Sequence, residues 1–177
     1  MVELETSRLL LREIVESDLP DIHEYGSNPE VCRYTLWGPN TLEESNNFIE
    51  NSIKEQLVKP RKNIGLGIIL KSENKLVGGC GFTNISSHKA SIGYVLNRNY
   101  WGKGIATEAA KALVSFGFTT LKLHRIFALV FPDNIASSNV LVKTGMTLEG
   151  RLRDEYVKHG VFHDSLVYGI LFHEWVQ

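Results

Sequence analysis

Leu96-Asn97-Arg98-Asn99-Tyr100-Trp101-Gly102-Lys103-Gly104-Ile105-Ala106-Thr107-Glu108-Ala109 joins an alternating apolar segment to one of helical period, with two glycines at the junction. Upstream, Ala90, Ile92, Tyr94 and Leu96 share one face of a strand over residues 89–96. Downstream, Ile105, Ala109, Leu113 and Phe116 recur at helical spacing to about Thr119. A strand entering a helix through glycine can form an anion site, because the first amides of a helix lack acceptors and its dipole favours negative charge. Glycine also lets the backbone approach a phosphate oxygen where a Cβ would intervene. A tight turn without a ligand is the other reading of Gly102 and Gly104, and both stay open on the glycines alone. Two phosphate loops are excluded. A Walker A loop needs Ser or Thr where Gly104 stands, and a Rossmann fingerprint needs a third small residue where Thr107 stands.

Outward from this junction, residues 64–70, 75–85 and 89–96 read as three strands. Their connections are short, which predicts an antiparallel meander. Before them come a half-buried strand over residues 8–15 and a helix with Ser17 as N-cap, Pro20 in its first turn and Gly26 as its stop. An irregular stretch containing Tyr34, Trp37 and Pro39 follows. Thr41 and Glu44 then form a capping box ahead of Leu42, Ile49, Ile53 and Leu57, in a helix ended by Pro60. After the junction, residues 125–130 form a continuous apolar run expected to be a buried strand, and a short helix runs from Asn134 to Gly145. Two final strands, residues 148–158 and 162–172, flank a His159-Gly160 turn. This order, with no repeat or linker, predicts a single α+β domain built on a mixed, mostly antiparallel sheet with about four flanking helices.

The 177 residues carry 19 Lys and Arg against 20 Asp and Glu, a net charge of −1, and are 43% hydrophobic, enough for one core. Near-neutrality argues against a general nucleic-acid binder. The balance is uneven along the chain: residues 1–50 hold 11 acids and 3 bases, and residues 51–177 hold 9 acids and 16 bases. Opposed surface fields and ordinary solvated helix faces are both open readings of that split. Cys32 and Cys80 are far apart and form no metal or disulfide pattern, which fits a reduced setting. The N-terminus is acidic rather than signal-like, and no apolar run approaches the roughly 20 residues that span a bilayer, so the expectation is a cytoplasmic protein with no membrane partner. His159 and His163 have i, i+4 spacing, but Gly160 and the strand period oppose a helical ligand pair, so no metal is expected.

Asn99-Tyr100-Trp101-Gly102-Lys103-Gly104 resembles the pyrophosphate-binding loop of the GNAT superfamily of acetyl-CoA-dependent N-acetyltransferases, whose pattern is Gln/Arg-x-x-Gly-x-Gly/Ala. Asn99 departs from it at the first position. The resemblance extends to Ile92-Gly93-Tyr94, Ala106-Thr107-Glu108-Ala109, Asn134-Ile135-Ala136-Ser137-Ser138-Asn139 and Thr144-Gly145-Met146. Within the superfamily the chain is similar to the ribosomal-protein serine and alanine N-acetyltransferases, through Thr6-Ser7-Arg8-Leu9-Leu10-Leu11-Arg12, Leu148-Glu149-Gly150 and Gly160-Val161-Phe162-His163-Asp164. It covers residues 8–172, expected to be one N-acetyltransferase domain.

The resemblance implies a GNAT-like sheet splayed between the fourth and fifth of the expected strands, with acetyl-CoA as co-substrate in the gap. Trp101, Gly102, Lys103, Gly104, Ile105 and Ala106 would hold the pyrophosphate. Main-chain groups near Leu96 and Asn97 would pair with the pantetheine arm, and Thr107, Asn134 and Ser137 would complete the cofactor contacts. The branch also implies catalytic roles for Ser137, set near the CoA sulfur, and for a late-strand Glu, whose alignment falls one position from Glu155, on Tyr156. Ser137 as a helix cap and Glu155 as a solvated strand acid remain alternative readings. Leu141 stands where many relatives have a phenol.

The resemblance implies direct attack of a neutral amine on the thioester, and the residues are consistent with it. There is no Gly-x-Ser-x-Gly elbow, and neither cysteine has a His partner in sequence. An α-amine with pKa near 8 needs little help to deprotonate, whereas a Lys amine near 10.4 needs a strong base, and none is evident. Tyr25, Tyr34 and Trp37 are candidates to line the acceptor pocket, with core packing as the competing role. The expected partner is an amine substrate, with a ribosomal-protein N-terminus the leading case. A small amine such as a polyamine or antibiotic, and a non-catalytic CoA-binding sensor, are the alternatives. Monomer and homodimer are both compatible with the sequence.

Overall fold

The meander is present in the computed structural model, which describes residues 2–176. Strands β3 (Ile64–Leu70), β4 (Lys75–Thr83) and β5 (Lys89–Leu96) pair antiparallel. β2 (Leu9–Glu13) extends the sheet beyond β3, and β1 (Glu3–Glu5), a strand not expected from the sequence, pairs with it at the edge. On the other side, β6 (Arg125–Val130) meets β5 in parallel, β8 (Val161–Leu171) lies beside β6, and β7 (Thr147–Lys158) forms the far edge. The result is one eight-stranded mixed sheet of order β1-β2-β3-β4-β5-β6-β8-β7.

The β5–β6 pairing is what positions the site. It holds at Lys89↔Arg125, Ala90↔Ile126 and Ser91↔Phe127 and then ends, so the two strands part beyond Ser91 and leave a gap in the sheet. This is the expected splay.

Helices cover both faces. Neighbouring residues of a strand point to opposite faces, and the pairs Ile68/Ile69 and Val77/Leu76 divide between two apolar clusters. The smaller cluster lies under α1 (Leu19–Gly26) and α3 (Leu42–Gln56), with Ile22, Tyr25 and Ile49 at its centre. The larger lies under α4 (Ile105–Thr119) and α5 (Ile135–Lys143), where Phe82, Leu113, Ile126 and Leu141 are almost fully buried. Leu113→Ala would cost about 2–5 kcal/mol through lost burial and a residual cavity.

Local corrections have local causes. Ser17 is not the cap of α1: it lies inside a 3-10 turn, Glu16–Asp18, that runs straight into the helix, and Asp18, at the N-cap position, turns its carboxylate back to Arg12 at 2.7 and 2.8 Å and to the Val15 N–H at 2.9 Å. The stretch read as irregular contains a one-turn helix, α2 (Pro29–Cys32), in which Asn28 accepts from the Glu30 N–H and Pro29 fills the first position. The α3 capping box forms as read, with Thr41 N–H donating to Glu44 at 2.7 Å, but the helix ends at Gln56, ahead of Pro60.

β7 carries an irregularity the alternation did not reveal. Leu152 pairs with Ser165 and Tyr156 with His163, so Arg153, Asp154 and Glu155 together oppose Asp164. Asp164 holds this bulge, accepting from the Asp154 N–H at 3.0 Å and from Arg151 Nε at 2.6 Å. The following turn puts His159 and Gly160 at φ of 51° and 77°, the left-handed geometry a two-residue hairpin needs.

The charge division of the sequence is partly consumed in folding. Glu5 meets Lys71, Glu13 meets Arg61, Glu24 meets Lys75 and Glu30 meets Arg98, each pairing an early acid with a later base.

Candidate active site

The glycine junction forms one end of the gap. Gly102 and Gly104 have φ of 74° and 76°, a left-handed conformation that costs glycine little, and Gly104 is the N-cap of α4. Glu108 is the first residue whose N–H reaches a backbone acceptor, the Gly104 carbonyl at 3.1 Å. From Gly102 to Thr107, no main-chain N–H meets a main-chain acceptor among the described residues. These free amides sit at the positive end of a 15-residue helix.

The loop is held from behind by the N-terminal segment. Thr6 Oγ1, Ser7 Oγ and the Arg8 N–H all donate to Glu108 Oε1, at 2.6, 3.1 and 3.0 Å, while Arg8 Nε donates to Oε2 at 2.7 Å. Burial would raise the Glu108 pKa, but the hydrogen bonds from Thr6, Arg8 and Ser7 outweigh it and hold the carboxyl at about 2. Arg8 also donates to the Lys103 carbonyl at 2.9 Å. Arg98, beside the departure at Asn99, stacks over the Trp101 ring at 4.7 Å and donates to Glu30.

The strand edge forms the floor. Asn97 N–H donates to the Val77 carbonyl at 2.8 Å, and the β4–β5 register then commits the main chain of Val95 and Gly93 to β4 as well. The main chains of Tyr94 and Leu96 therefore face the opposite way, into the gap. Of these groups, the Leu96 carbonyl is occupied by Trp101 Nε1 at 2.9 Å. Asn97 turns away: its side chain is buried, donating to Glu24 and accepting from the Asn99 N–H. It shapes the loop from outside the gap.

On the far wall, Asn134 caps α5 by accepting from the Ser137 N–H at 3.2 Å, leaving the Ser137 hydroxyl free of the capping role. That hydroxyl meets the Tyr94 phenol at 2.9 Å, and the phenol also donates to the Ser137 carbonyl at 3.0 Å. Burial pushes the Tyr94 pKa up to about 12. Tyr94, Asn134, Ser137 and Leu141 line one cavity of about 150 Å³ between β5 and β6. The alternation of residues 89–96 marks Tyr94 only as a strand residue. Its signal was the shared face with Leu96 next to the glycine loop, and its partner lies 43 residues away.

The other end of this cavity is aromatic and uncharged. Tyr34 and Tyr156 line it with Phe131, which stacks on Tyr156 at 5.5 Å and meets His163 edge-on at 5.4 Å. No carboxylate lies among the described residues of its lining. Glu155, on the bulge, is exposed and outside this wall, yet near enough that its charge, after burial, raises the Tyr156 pKa. Lys158 ties the hairpin across the chain by donating to the Cys32 and Arg33 carbonyls at 2.7 and 2.9 Å. Of the other aromatic candidates, Tyr25 is buried in the smaller core and Trp37 is exposed outside the cavity. Cys80 is buried in the larger core, with its thiol pushed up to about 12 by desolvation. Among the described residues no group of three or more His, Cys, Asp or Glu side chains could hold a metal ion, and no helix is long and apolar enough to cross a membrane.

A splayed mixed sheet with free amides at a helix start beside the gap is the geometry of an acyltransferase that holds a phosphorylated acyl carrier. Residues 8–147 match the acetyltransferase (GNAT) domain family. The uncharacterized N-acetyltransferase YnaD of Bacillus subtilis (strain 168) is 35% identical over 98% of this chain and 99% of its own length. The crystal structure of a GNAT-family acetyltransferase from Bacillus anthracis superposes with a TM-score of 0.86 at 35% identity, covering 97% of this chain and 99% of that one. More distant relatives act on different amines. The spermidine N(1)-acetyltransferase of Escherichia coli (strain K12) is 24% identical over 94% of this chain and 87% of its own, and the ribosomal protein uS5 alanine N-acetyltransferase of the same strain is 28% identical over 62% and 58%. The chain belongs to the GNAT acetyltransferase family and is an N-acetyltransferase.

Proposed function

We propose that this protein transfers the acetyl group of acetyl-CoA to the α-amine of a peptide or protein N-terminus, by direct attack with both substrates bound. The observation that carries the acceptor class is the aromatic, carboxylate-free end of the cavity at Tyr34, Phe131 and Tyr156. A polyamine is a multiple cation, and desolvating it there would require acidic partners the wall does not supply. A peptide N-terminus brings one amine beside apolar and amide surface, which such a wall suits.

Acetyl-CoA fits the other end. Its pyrophosphate suits the free amides of residues 102–107, and its amide-bearing pantetheine arm suits the main-chain edge left open at Tyr94 and at the Leu96 N–H, as an added strand would. In the reaction the neutral amine attacks the thioester carbonyl, a C–N bond forms and the carbonyl oxygen gains charge. An N–H of the open edge is the donor for that oxygen. The C–S bond then breaks with its electron pair on sulfur, facing the Ser137 hydroxyl. Glu155 takes the amine's proton through water at the rim.

Thiol release from acetyl-CoA with a panel of amines tests this reading. Turnover with peptide N-termini and little with spermidine supports it. Turnover confined to small amines overturns the acceptor, and tight CoA binding without turnover on any amine overturns the activity.

A further inference from the structure

We propose that Tyr94 is the positioning residue of the leaving-group side, aligning the Ser137 hydroxyl toward the departing sulfur in place of the phenol that position 141 lacks. This rests on the acetyl-transfer reading above and assigns a second residue to it. The geometry has three parts. Position 141 carries a fully buried leucine, so α5 offers no phenol of its own there. Tyr94 comes from the opposite wall, on β5, and reaches both oxygens of Ser137, the carbonyl at 3.0 Å and the hydroxyl at 2.9 Å. Tyr94 and Ser137 both line the cavity between β5 and β6, so their contact lies at the gap and not within the core.

A phenol has one proton and Ser137 offers two acceptors, so the hydroxyl pair has two arrangements. With the Tyr94 proton on the carbonyl, the serine donates to the phenol oxygen. With the Tyr94 proton on Oγ, the serine proton is released toward the gap. Negative charge developing on sulfur favours the second arrangement, and each bond in the chain polarises the next. Burial keeps the phenol protonated, so it acts as a donor and not as a proton source. The balance is simple: the C–N bond forms, the C–S bond breaks with its pair on sulfur, the amine's one proton passes through water at the rim to Glu155, and sulfur takes one proton from solvent. Ser137 and Tyr94 are unchanged at the end.

A purely structural tie predicts something else, since a buried tyrosine hydroxyl finds a partner for stability alone. The experiment is a double-mutant cycle of Tyr94→Phe, Ser137→Ala and the pair, with kcat and KM read by thiol release on a peptide substrate and acetyl-CoA Kd by calorimetry. The expected result is a kcat about tenfold lower in Tyr94→Phe, KM and Kd within about twofold, and no further loss in the pair beyond Ser137→Ala. Wild-type kcat in Tyr94→Phe, or losses that multiply in the pair, would overturn the proposal. Should Tyr94→Phe unfold, 3-fluorotyrosine at position 94 keeps the shape and strengthens the donor; a raised kcat supports the role, and an unchanged or reduced one contradicts it. Failure of the wild-type protein to turn over any amine would instead remove the acetyl-transfer reading itself.

Discussion

Arg8 and Glu108 lie 100 residues apart in sequence and are joined by a main-chain and a side-chain hydrogen bond, at 3.0 and 2.7 Å, directly behind the glycine loop. The Thr6-Ser7-Arg8 and Ala106-Thr107-Glu108 segments are therefore partners in one structure: the first fastens the helix start that the second begins. Glu108→Gln is expected to cost about 2 kcal/mol through the loss of charge-assisted bonds. Acetyl-CoA affinity should fall with it, because the loop amides lose their backing. Urea unfolding and calorimetric titration measure the two effects, and full stability with unchanged affinity contradicts the assignment.

The same carboxylate makes stability depend on pH. Its pKa is about 2 in the folded protein against an ordinary 4.5, so an unfolded chain binds a proton there that the folded chain refuses. The contribution is present in full above pH 4.5 and is lost as pH falls toward 2. Glu108→Gln should show a shallower stability loss across that window, and a slope equal to that of the wild type contradicts the account.

Gly104→Val is expected to abolish acetyl-CoA binding while the fold persists. A β-branched residue at φ of 76° costs about 1–3 kcal/mol and distorts the amide cradle, whereas the core beneath α4 is untouched. Circular dichroism and calorimetry separate the two consequences, and normal affinity in a folded variant contradicts the cradle.

Which parts were legible in the sequence follows from how local their physics is. Gly102, Gly104 and the His159-Gly160 turn announce left-handed backbone within a few residues, and Thr41 with Glu44 announces a helix start. The strand ending at Leu96 is legible in its own alternation, whereas the splay beside it came only with the resemblance to the GNAT superfamily. Contacts across long intervals left no such trace: Tyr94 with Ser137, Glu108 with Thr6, and Lys158 with the Cys32 carbonyl are all side-chain meetings fixed by the sheet order. The β7 bulge was hidden for another reason. Asp164 stabilises it from the neighbouring strand, so the alternation of residues 148–158 alone could not show where Glu155 would lie.

Glu155 supplies a prediction with a distinctive pH dependence. If it draws the proton from the amine through water, Glu155→Gln should lower kcat/KM for a peptide α-amine about tenfold at pH 7. The defect should shrink by pH 9, because an α-amine with pKa near 8 is then neutral without help. A pH–rate comparison of the two proteins decides, and a defect of constant size across the range removes Glu155 from the proton path.

The most direct test of the central claim uses one peptide carrying both a free α-amine and an internal lysine, incubated with the protein and acetyl-CoA and mapped by mass spectrometry, with spermidine as competitor. The account predicts a single acetyl group on the α-amine and little spermidine product. Acetylation of spermidine in preference to the peptide, or of the lysine in preference to the N-terminus, would contradict it.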